Sequence, residues 1–496
     1  MAKVILTTDA TLMSEYDGNE FVGFAACAPA LIPEWLYSKI LCPPVKSNGT
    51  VAAMANCGTR KIEAALLENG LSEDDVLVVR PHDIRKAVTS ETRVVGITSN
   101  DPLGLGPASS TFSDLMDRRP YSAIFFEKIV RHPAIRKRNV RIIVGGPGAW
   151  QIDEKNRKRL GIDCVFTGEG EITAPKLFDM AMNGNNLPRF VHGDVVPLDK
   201  IPNIKKPTIN GLVEIARGCG RGCRFCNPTM LRFRCRPVPR ILEEIKVNLD
   251  GGCGSVLLHA EDVLRYKAKG AIPNPSEVIK LFREVKKLTP RIGISHFAFA
   301  SVLAKPKLIA DLSELLGIGS KRTPWYSGQV GIETGSARLA KKHLRGKAMP
   351  FNVERWPELV KDAHSVLAEH HWVPCSTLIL GMPGERAEDV EKTKDLVYDL
   401  REYKSLIVPL FFVPIGTLNE SRFFRKEKML PEHWKVLGAC TEHNFRWVYK
   451  MSDQSFKMVR TPFWKRVAIK GIIKILEKKL KPYIMRMNEG ISPIAK

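Results

Sequence analysis

No run of roughly 18 apolar residues exists anywhere in the 496-residue chain, which excludes a hydrophobic membrane-spanning helix. The longest apolar stretch, 406–418, is broken by Pro409, Pro414 and Gly416. Acidic residues are scarce against basic ones: 53 Asp and Glu face 76 Lys and Arg, a formal charge of +23. Nucleic acid, an anionic membrane surface or an acidic protein could each answer that excess. Aromatics make up only 8% and do not interleave with the basic residues as a base-stacking surface would require, so no nucleic-acid partner is expected. Neither a G-x-G-x-x-G fingerprint nor a G-x4-G-K-S/T phosphate loop is present. The chain opens Met-Ala-Lys and runs straight into a strand pattern, which predicts no secretory leader. The eleven cysteines are then expected as thiols for metal or chemistry in a reducing, cytoplasmic compartment. Apolar content of 44% and charged content of 26% fit a core-forming protein.

The stretch that carries chemistry is Gly218-Cys219-Gly220-Arg221-Gly222-Cys223-Arg224-Phe225-Cys226. Three cysteines stand at C-x3-C-x2-C, with glycines that let a short loop turn the sulfurs toward one point. Soft thiolates so gathered select zinc or an iron–sulfur cluster. A structural zinc site or a ferredoxin cluster takes four protein ligands, whereas Cys235 lies nine residues on, past an Arg-rich segment. Three ligands leave one iron open.

Residues 1–190 alternate short apolar runs (3–9, 76–79, 94–98, 140–144 and 164–167) with helical stretches, which argues a doubly wound α/β domain. Such domains bind ligands beyond the carboxyl ends of their strands. Three loops fall there: 99–111, Gly145-Gly146-Pro147-Gly148-Ala149 and Gly168-Glu169-Gly170-Glu171. A Pro- and Lys-rich linker spans 191–210. Strand and helix alternate again over 211–415, giving six strands that fit an open six-unit β/α barrel. The region 416–496 is basic and mostly helical. Its Trp464, Val467, Ile472, Leu476 and Leu480 recur at near-helical spacing among lysines. This helix either lies on anionic membrane or docks on the protein's own body.

The cysteine loop, with Phe225 before its third cysteine, resembles the cluster loop of the radical S-adenosylmethionine (SAM) superfamily. The three glycine loops, taken in order, resemble the cobalamin-binding domain that precedes many radical SAM barrels. The resemblance implies a [4Fe-4S] cluster on Cys219, Cys223 and Cys226. It implies SAM held by Phe225, Glu261, Ser301, Glu333 and Gly381. It implies cobalamin held by Leu105, Gly106, Ser109, Thr111, Gly145, Gly146, Pro147, Gly148, Gly168, Glu169 and Gly170. His259-Ala260-Glu261-Asp262 stands where the family has its Gly-Gly-Glu turn for the SAM amino group; Glu261 could also simply charge a helix start. Glu333, in Ile332-Glu-Thr-Gly-Ser336, could accept both ribose hydroxyls or form an internal salt bridge. In Leu378-Ile-Leu-Gly-Met-Pro-Gly-Glu385, Gly381 would pack on adenine. No D-x-H-x-x-G loop occurs, so no His of that motif would lie beneath cobalt.

The loop order, the 332–347 segment and the basic C-terminal region resemble the methanogen enzymes that C-methylate a glutamine of methyl-coenzyme M reductase. That implies methyl transfer to an unactivated sp3 carbon. The alpha subunit of that reductase would be the protein substrate, a separate electron donor would be needed, and the enzyme would be a monomer. Tyr326, in a loop entering the fourth strand, is a candidate near the substrate or a core residue. Methylthiotransferases carry a second cluster on three N-terminal cysteines. Cys27, Cys42 and Cys57 are here either that set or buried thiols. A methylthiotransferase or a ring-forming radical SAM enzyme is the alternative function, and a nucleic-acid-binding protein with a structural cluster is the third.

Overall fold

The computed structural model describes residues 2–16, 24–136, 140–227, 231–458 and 461–493. The chain forms two units, 1–214 with 236–257, and 215–235 with 258–496.

The first unit holds a six-stranded sheet. Its strands are β1 (Val4–Thr8), β2 (Val76–Val78), β3 (Val94–Thr98), β4 (Arg141–Gly145), β5 (Cys164–Gly168) and β6 (Phe190–Gly193). Their order is β2-β1-β3-β4-β5-β6, and every pair is parallel. All five residues of β1 are buried, as a strand covered on both faces requires. One face packs Ile5, Val95, Ile97, Ile142 and Val144; the other packs Val4, Leu6, Val94, Ile143 and Phe166. The order reverses between β1 and β3, and that is where such sheets open a crevice. The strand over 190–193 was not expected from the sequence; its register Val165↔Phe190 puts it on the sheet edge.

Residues 191–214 and the helix Val238–Asp250 group with the first unit because buried polar side chains tie them there. Lys61 pairs with Glu244 and donates to the Pro202 carbonyl at 2.8 Å. Arg236 reaches Glu244 at 2.6 Å, and Asn248 accepts from the Thr208 amide at 2.7 Å. Breaking one member of such a buried pair costs about 3–5 kcal/mol, so these contacts fix the linker as part of the unit.

The second unit is a curved sheet with helices between its strands. The Ile215 amide donates to His259 of β7 (Val256–His259), where the division between the units falls. Ser295, one residue beyond β8 (Ile292–Ile294), donates to Leu258, and Gln329 of β9 (Tyr326–Glu333) donates to Ser295. β9 pairs in parallel with β10 (Trp372–Leu380), and β10 with β11 (Leu406–Phe411). These are five of the six strands expected for the barrel; the sixth, Leu212–Glu214, is a strand counted with the first unit. The helix Pro275–Leu288 starts with Pro at its first turn and buries Val278, Leu281, Phe282 and Val285 at i, i+3, i+4 and i+7. Burying each large apolar side chain is worth about 1.5–3 kcal/mol. The sequence run 292–299 is strand only over 292–294, and Phe299–Ala304 is helix.

The C-terminal residues form two helices, Pro431–Met458 and Phe463–Asn488. The first covers the open edge of the sheet. Asn444 accepts from the Ile407 amide and donates to the Ile407 carbonyl, both at 2.8 Å, and His443 meets Ser405 at 2.9 Å. An edge strand thus loses its exposed backbone groups. The second helix buries Ile484 and Met487, while Trp464, Val467, Ile472 and Leu476 stay 47–66% exposed. The helix is thus docked on its neighbour with its lysines exposed, as one of the two expected arrangements has it, although these four apolar residues do not form the docked face.

Candidate functional site

The cysteine loop follows the strand pair Ala216–Arg217 and Arg234–Cys235. Gly218, Gly220 and Gly222 have φ of 75°, 69° and 67°, a left-handed region that a side chain disfavours. Nothing lies within 4 Å of a Cβ built on Gly222, so conformation and not space demands glycine there.

The loop is clamped by residues far away in sequence. Arg221, 8% exposed, sends Nη1 to the carbonyls of Gly346 (3.3 Å), Lys347 (3.1 Å) and Met349 (3.1 Å). Its Nη2 reaches Asp262 at 3.0 Å and Ser301 Oγ at 2.9 Å, and Ser301 donates to Asp262 at 2.6 Å. Arg265 Nη1 donates to the Cys219 carbonyl at 2.8 Å. The Thr417 amide and hydroxyl both donate to the Arg224 carbonyl at 3.1 Å. A Cβ on Gly346 would lie 1.6 Å from the Arg221 carbonyl, and one on Gly416 would lie 2.2 Å from that of Cys226. Sequence reading missed Arg221, Asp262, Gly346 and Gly416. Only the arginine inside the motif was a visible signal.

The Cys226 thiol donates to Cys223, which lowers the pKa of Cys223 and raises that of Cys226; burial opposes the first shift and adds to the second. Among the described residues no three His, Cys, Asp or Glu side chains converge closely enough to hold one metal ion. A [4Fe-4S] cluster gives each thiolate its own iron, so three cysteines on one clamped loop fit a cluster and not mononuclear zinc. Cys235 accepts from the Lys267 amide at 3.1 Å.

Glu333 ends β9 in the left-handed region, φ 63°, just after a register shift against β10. A non-glycine residue held there costs about 1–3 kcal/mol and marks candidate functional positions. Its carboxylate pairs with Lys347, and Thr377 donates to it at 3.5 Å. Gly331 leaves the room: a Cβ there would lie 1.8 Å from Glu333 Oε1. Burial pulls the pKa of Lys347 down, but Glu333 and the nearby Cys223 more than offset it, so the lysine is held charged beside the cysteine loop. The internal salt bridge, one of the two readings of Glu333, is thus present, at the carboxyl end of β9.

Glu261 is half-buried, whereas its neighbour Asp262 is the buried carboxylate of this turn. Ser301, fully buried, spends its hydroxyl on Asp262 and Arg221. Phe225 is half-buried. Gly381 (φ 80°) donates its amide to Glu385 at 2.5 Å, and a Cβ there would sit 2.0 Å from the Phe424 ring. Glu385 also meets His433 Nε2 at 2.9 Å. Tyr326 is a correction. It begins β9, at the amino end of the strand whose carboxyl end carries Glu333, and donates to the Ile292 carbonyl at 2.9 Å while packing on Trp372. Seven residues at about 3.3 Å each separate the two ends, which removes Tyr326 from the reacting centre.

In the first unit the expected loops do leave the carboxyl ends of β3, β4 and β5. Asp9, after β1, accepts from the Thr11 amide at 2.9 Å and from Ser99, after β3, at 3.3 Å. Burial raises its pKa to about 6, against the hydrogen bonds from Thr11 and Ser99. Asp101 accepts from the Gly106 amide and from Gln151 Nε2, both at 2.8 Å, and Gln151 accepts from the Leu105 amide at 3.3 Å. Thr111 donates to its own helix at Pro107, and Glu169 accepts from the Val196 amide at 3.0 Å. Cβ atoms on Gly146, Gly148 and Gly168 would strike the carbonyls of Ser99, Asn100 and Gly193 at 2.7, 2.3 and 2.1 Å. These glycines thus answer to the protein's own backbone, while Gly145 meets nothing closer than 3.7 Å. Pro147 lies between them, and Gly170 packs on Ile62. Ser109 lies beside the Cys27 thiol, and the Ser110 and Ser113 hydroxyls are buried without a partner, as donors awaiting a polar ligand would be.

Among the described residues the three N-terminal cysteines form no common group. Cys42 contacts the Ala10 carbonyl and Tyr16 OH, both at 3.5 Å. Burial pushes the Cys27 thiol up to about 11 and the Cys57 thiol up to about 12.

Residues 213–397 match the model of the radical SAM superfamily domain. The domain implies a [4Fe-4S] cluster and SAM. A tRNA-2-methylthio-N(6)-dimethylallyladenosine synthase of Magnetococcus marinus is 25% identical over 279 residues, 55% of this chain and 60% of that protein. A putative methylthiotransferase of Methanocaldococcus jannaschii is 26% identical over 308 residues, 58% and 62% of the two chains. The chain thus spans about three fifths of the length of these curated relatives. In fold it is similar to the radical SAM methyltransferase TsrM of Kitasatospora setae, solved with cobalamin and a [4Fe-4S] cluster. The TM-score is 0.55 at 14% identity, over 84% of this chain and 74% of that one. The same enzyme with tryptophan and a SAM analogue matches at a TM-score of 0.53 and 13% identity, over 82% and 73% of the chains. No helix among the described residues is long and apolar enough to cross a membrane.

Proposed function

We propose that the protein is a cobalamin-dependent radical SAM C-methyltransferase that methylates an unactivated sp3 carbon of a protein residue. A glutamine of the methyl-coenzyme M reductase alpha subunit is the substrate that the motif resemblance points to. What supports this most is one chain joining a parallel sheet of order 2-1-3-4-5-6 to a barrel with a clamped three-cysteine loop. The likeness to TsrM, which extends over most of the chain, supports it further.

With its cofactors bound, such a site supplies a carbon radical able to take hydrogen from an unreactive C–H bond, and a transferable methyl group. The chain's own residues do the rest. Cys219, Cys223 and Cys226 are the cluster ligands, and Arg221 and Arg265 hold their loop in shape. Glu333 offers a carboxylate for the ribose and is paired with Lys347. Phe225, Glu261, Ser301 and Gly381 complete the SAM contacts, Ser301 through Arg221. Cobalamin is assigned to the first unit, at Leu105, Gly106, Ser109, Thr111, Gly145, Gly146, Pro147, Gly148, Gly168, Glu169 and Gly170. An electron donor must reduce the cluster.

The curated relatives favour a second reading, methylthio transfer. Against it stand Cys27, Cys42 and Cys57, which are separated and held as thiols in distinct surroundings. The test is anaerobic purification with added cobalamin, then reaction with isotopically labelled SAM and the reductase subunit. Corrinoid and iron–sulfur bands, about four irons per chain, 5′-deoxyadenosine and one labelled methyl on the protein are expected. About eight irons per chain and a transferred sulfur would establish methylthio transfer instead.

A further inference from the structure

The helix Phe463–Asn488 has two apolar faces. One carries Ile484 and Met487 and is buried on the protein. On the other, Trp464, Val467, Gly471 and Ile475 follow at i, i+3, i+7 and i+11, a single stripe along the helix. Trp464 is 66% exposed, Val467 54% and Ile475 56%, and Phe463 at the helix start is 80% exposed. Lys474, Lys478, Lys479 and Lys481 are exposed around this stripe, and none has an acidic partner among the described residues. Over 461–493 there are eight Lys and Arg against two Glu. The helix is fixed to its neighbour from the inner side, by Tyr449 OH to Glu477 at 2.5 Å and Asn488 to Glu442 at 2.7 Å; Phe463 and Val467 border a cavity with Asp453 and Phe456 of that neighbour, while Trp464 and Ile475 lie on the side turned from these contacts.

We propose that this outer face seats the protein on an anionic lipid surface, with the helix lying in the interface plane. Charge complementarity and side-chain type select this occupant. Phosphate groups would engage the lysines, and acyl chains would cover Trp464, Val467 and Ile475; indole and phenyl rings favour that boundary. RNA would satisfy the lysines but leave the aliphatic stripe in water. Lysines spread along the stripe suit a laterally continuous surface. The helix is too charged to span a bilayer.

The full chain is spun with phosphatidylcholine vesicles, with or without phosphatidylglycerol, at low and high salt. Sedimentation with the anionic vesicles only, weakened by salt, is expected. The pair Trp464→Ser with Ile475→Ser, and separately Lys474→Gln with Lys478→Gln, should each lower partitioning on the order of tenfold. Circular dichroism and iron content should stay as in the parent. Equal partitioning of parent and Trp464→Ser/Ile475→Ser protein overturns the proposal. So does failure of the parent to sediment, salt-sensitive RNA binding in its place, or a parent dimer that the serine pair converts to monomer. No readout depends on SAM, cobalamin or methyl transfer, so the outcome is independent of the proposed reaction.

Discussion

Replacing Arg221 with methionine tests whether the cysteine loop is shaped from outside itself. The side chain is 4% exposed and that of its partner Asp262 1%, so the substitution leaves a carboxylate buried without its cation. Losing one member of a buried pair costs about 3–5 kcal/mol. The three carbonyls of Gly346, Lys347 and Met349 lose a shared donor as well, at about 1–3 kcal/mol for each left unsatisfied. These terms overlap and do not add, and about 3–5 kcal/mol is the figure expected from urea unfolding of the cluster-free protein followed by tryptophan fluorescence. In a second arm, Asp262→Asn is placed on the Arg221→Met background. Removing the stranded charge should recover about 1–3 kcal/mol relative to the sum of the single effects. Iron retained after anaerobic reconstitution should fall well below the parent's about four per chain in Arg221→Met. A loss under about 1 kcal/mol with full iron content would show that the loop holds its own shape and that the clamp is incidental.

Cys223→Ala should abolish the iron–sulfur absorbance of reconstituted protein and leave bound corrinoid bands intact; loss of both would tie the two sites to one folding defect. Gly416→Ala puts a methyl 2.2 Å from the Cys226 carbonyl at φ 67°, and should cost about 1–3 kcal/mol with a parallel loss of iron, read by melting and iron assay. Asp9 is raised to about 6 from 3.8, so the folded state holds its proton over that interval and the unfolded state does not. Stability from this group is therefore lost as pH rises from about 4 to about 6, by about 3 kcal/mol when complete. Asp9→Asn should remove that slope, and a stability difference from the parent that is the same at pH 4 and pH 7 would contradict it. Tyr326→Phe forfeits one hydrogen bond to Ile292, about 0.5–1.5 kcal/mol, and should leave 5′-deoxyadenosine formation unchanged.

Local signals were legible where one segment carries its own explanation. The glycines of 218–222 announced a tight loop, and their positive φ values agree. Parallel strands stood out as apolar runs because both faces are covered, as in β1. What stayed hidden was contact between distant positions. Glycine at 146, 148 and 168 suggests close approach by a ligand, but only the fold shows that Ser99, Asn100 and Gly193 occupy the space. Asp262 sits beside the residue that the motif resemblance selects, and its role exists only once Arg221 arrives. Tyr326 was misplaced because strand β9 begins earlier than its glycine-spaced sequence suggests. The C-terminal stripe was visible as periodicity, but periodicity does not tell an inner face from an outer one.

The clamp around Arg221 draws on residues 221, 262, 301 and 346–349, which leave the ribosome far apart in time. A nascent chain that has delivered only its three thiols lacks the frame that positions them. The loop's binding shape is therefore expected only once the β/α scaffold is complete, so iron offered to the unfolded chain should be held far less well than iron offered to the folded one.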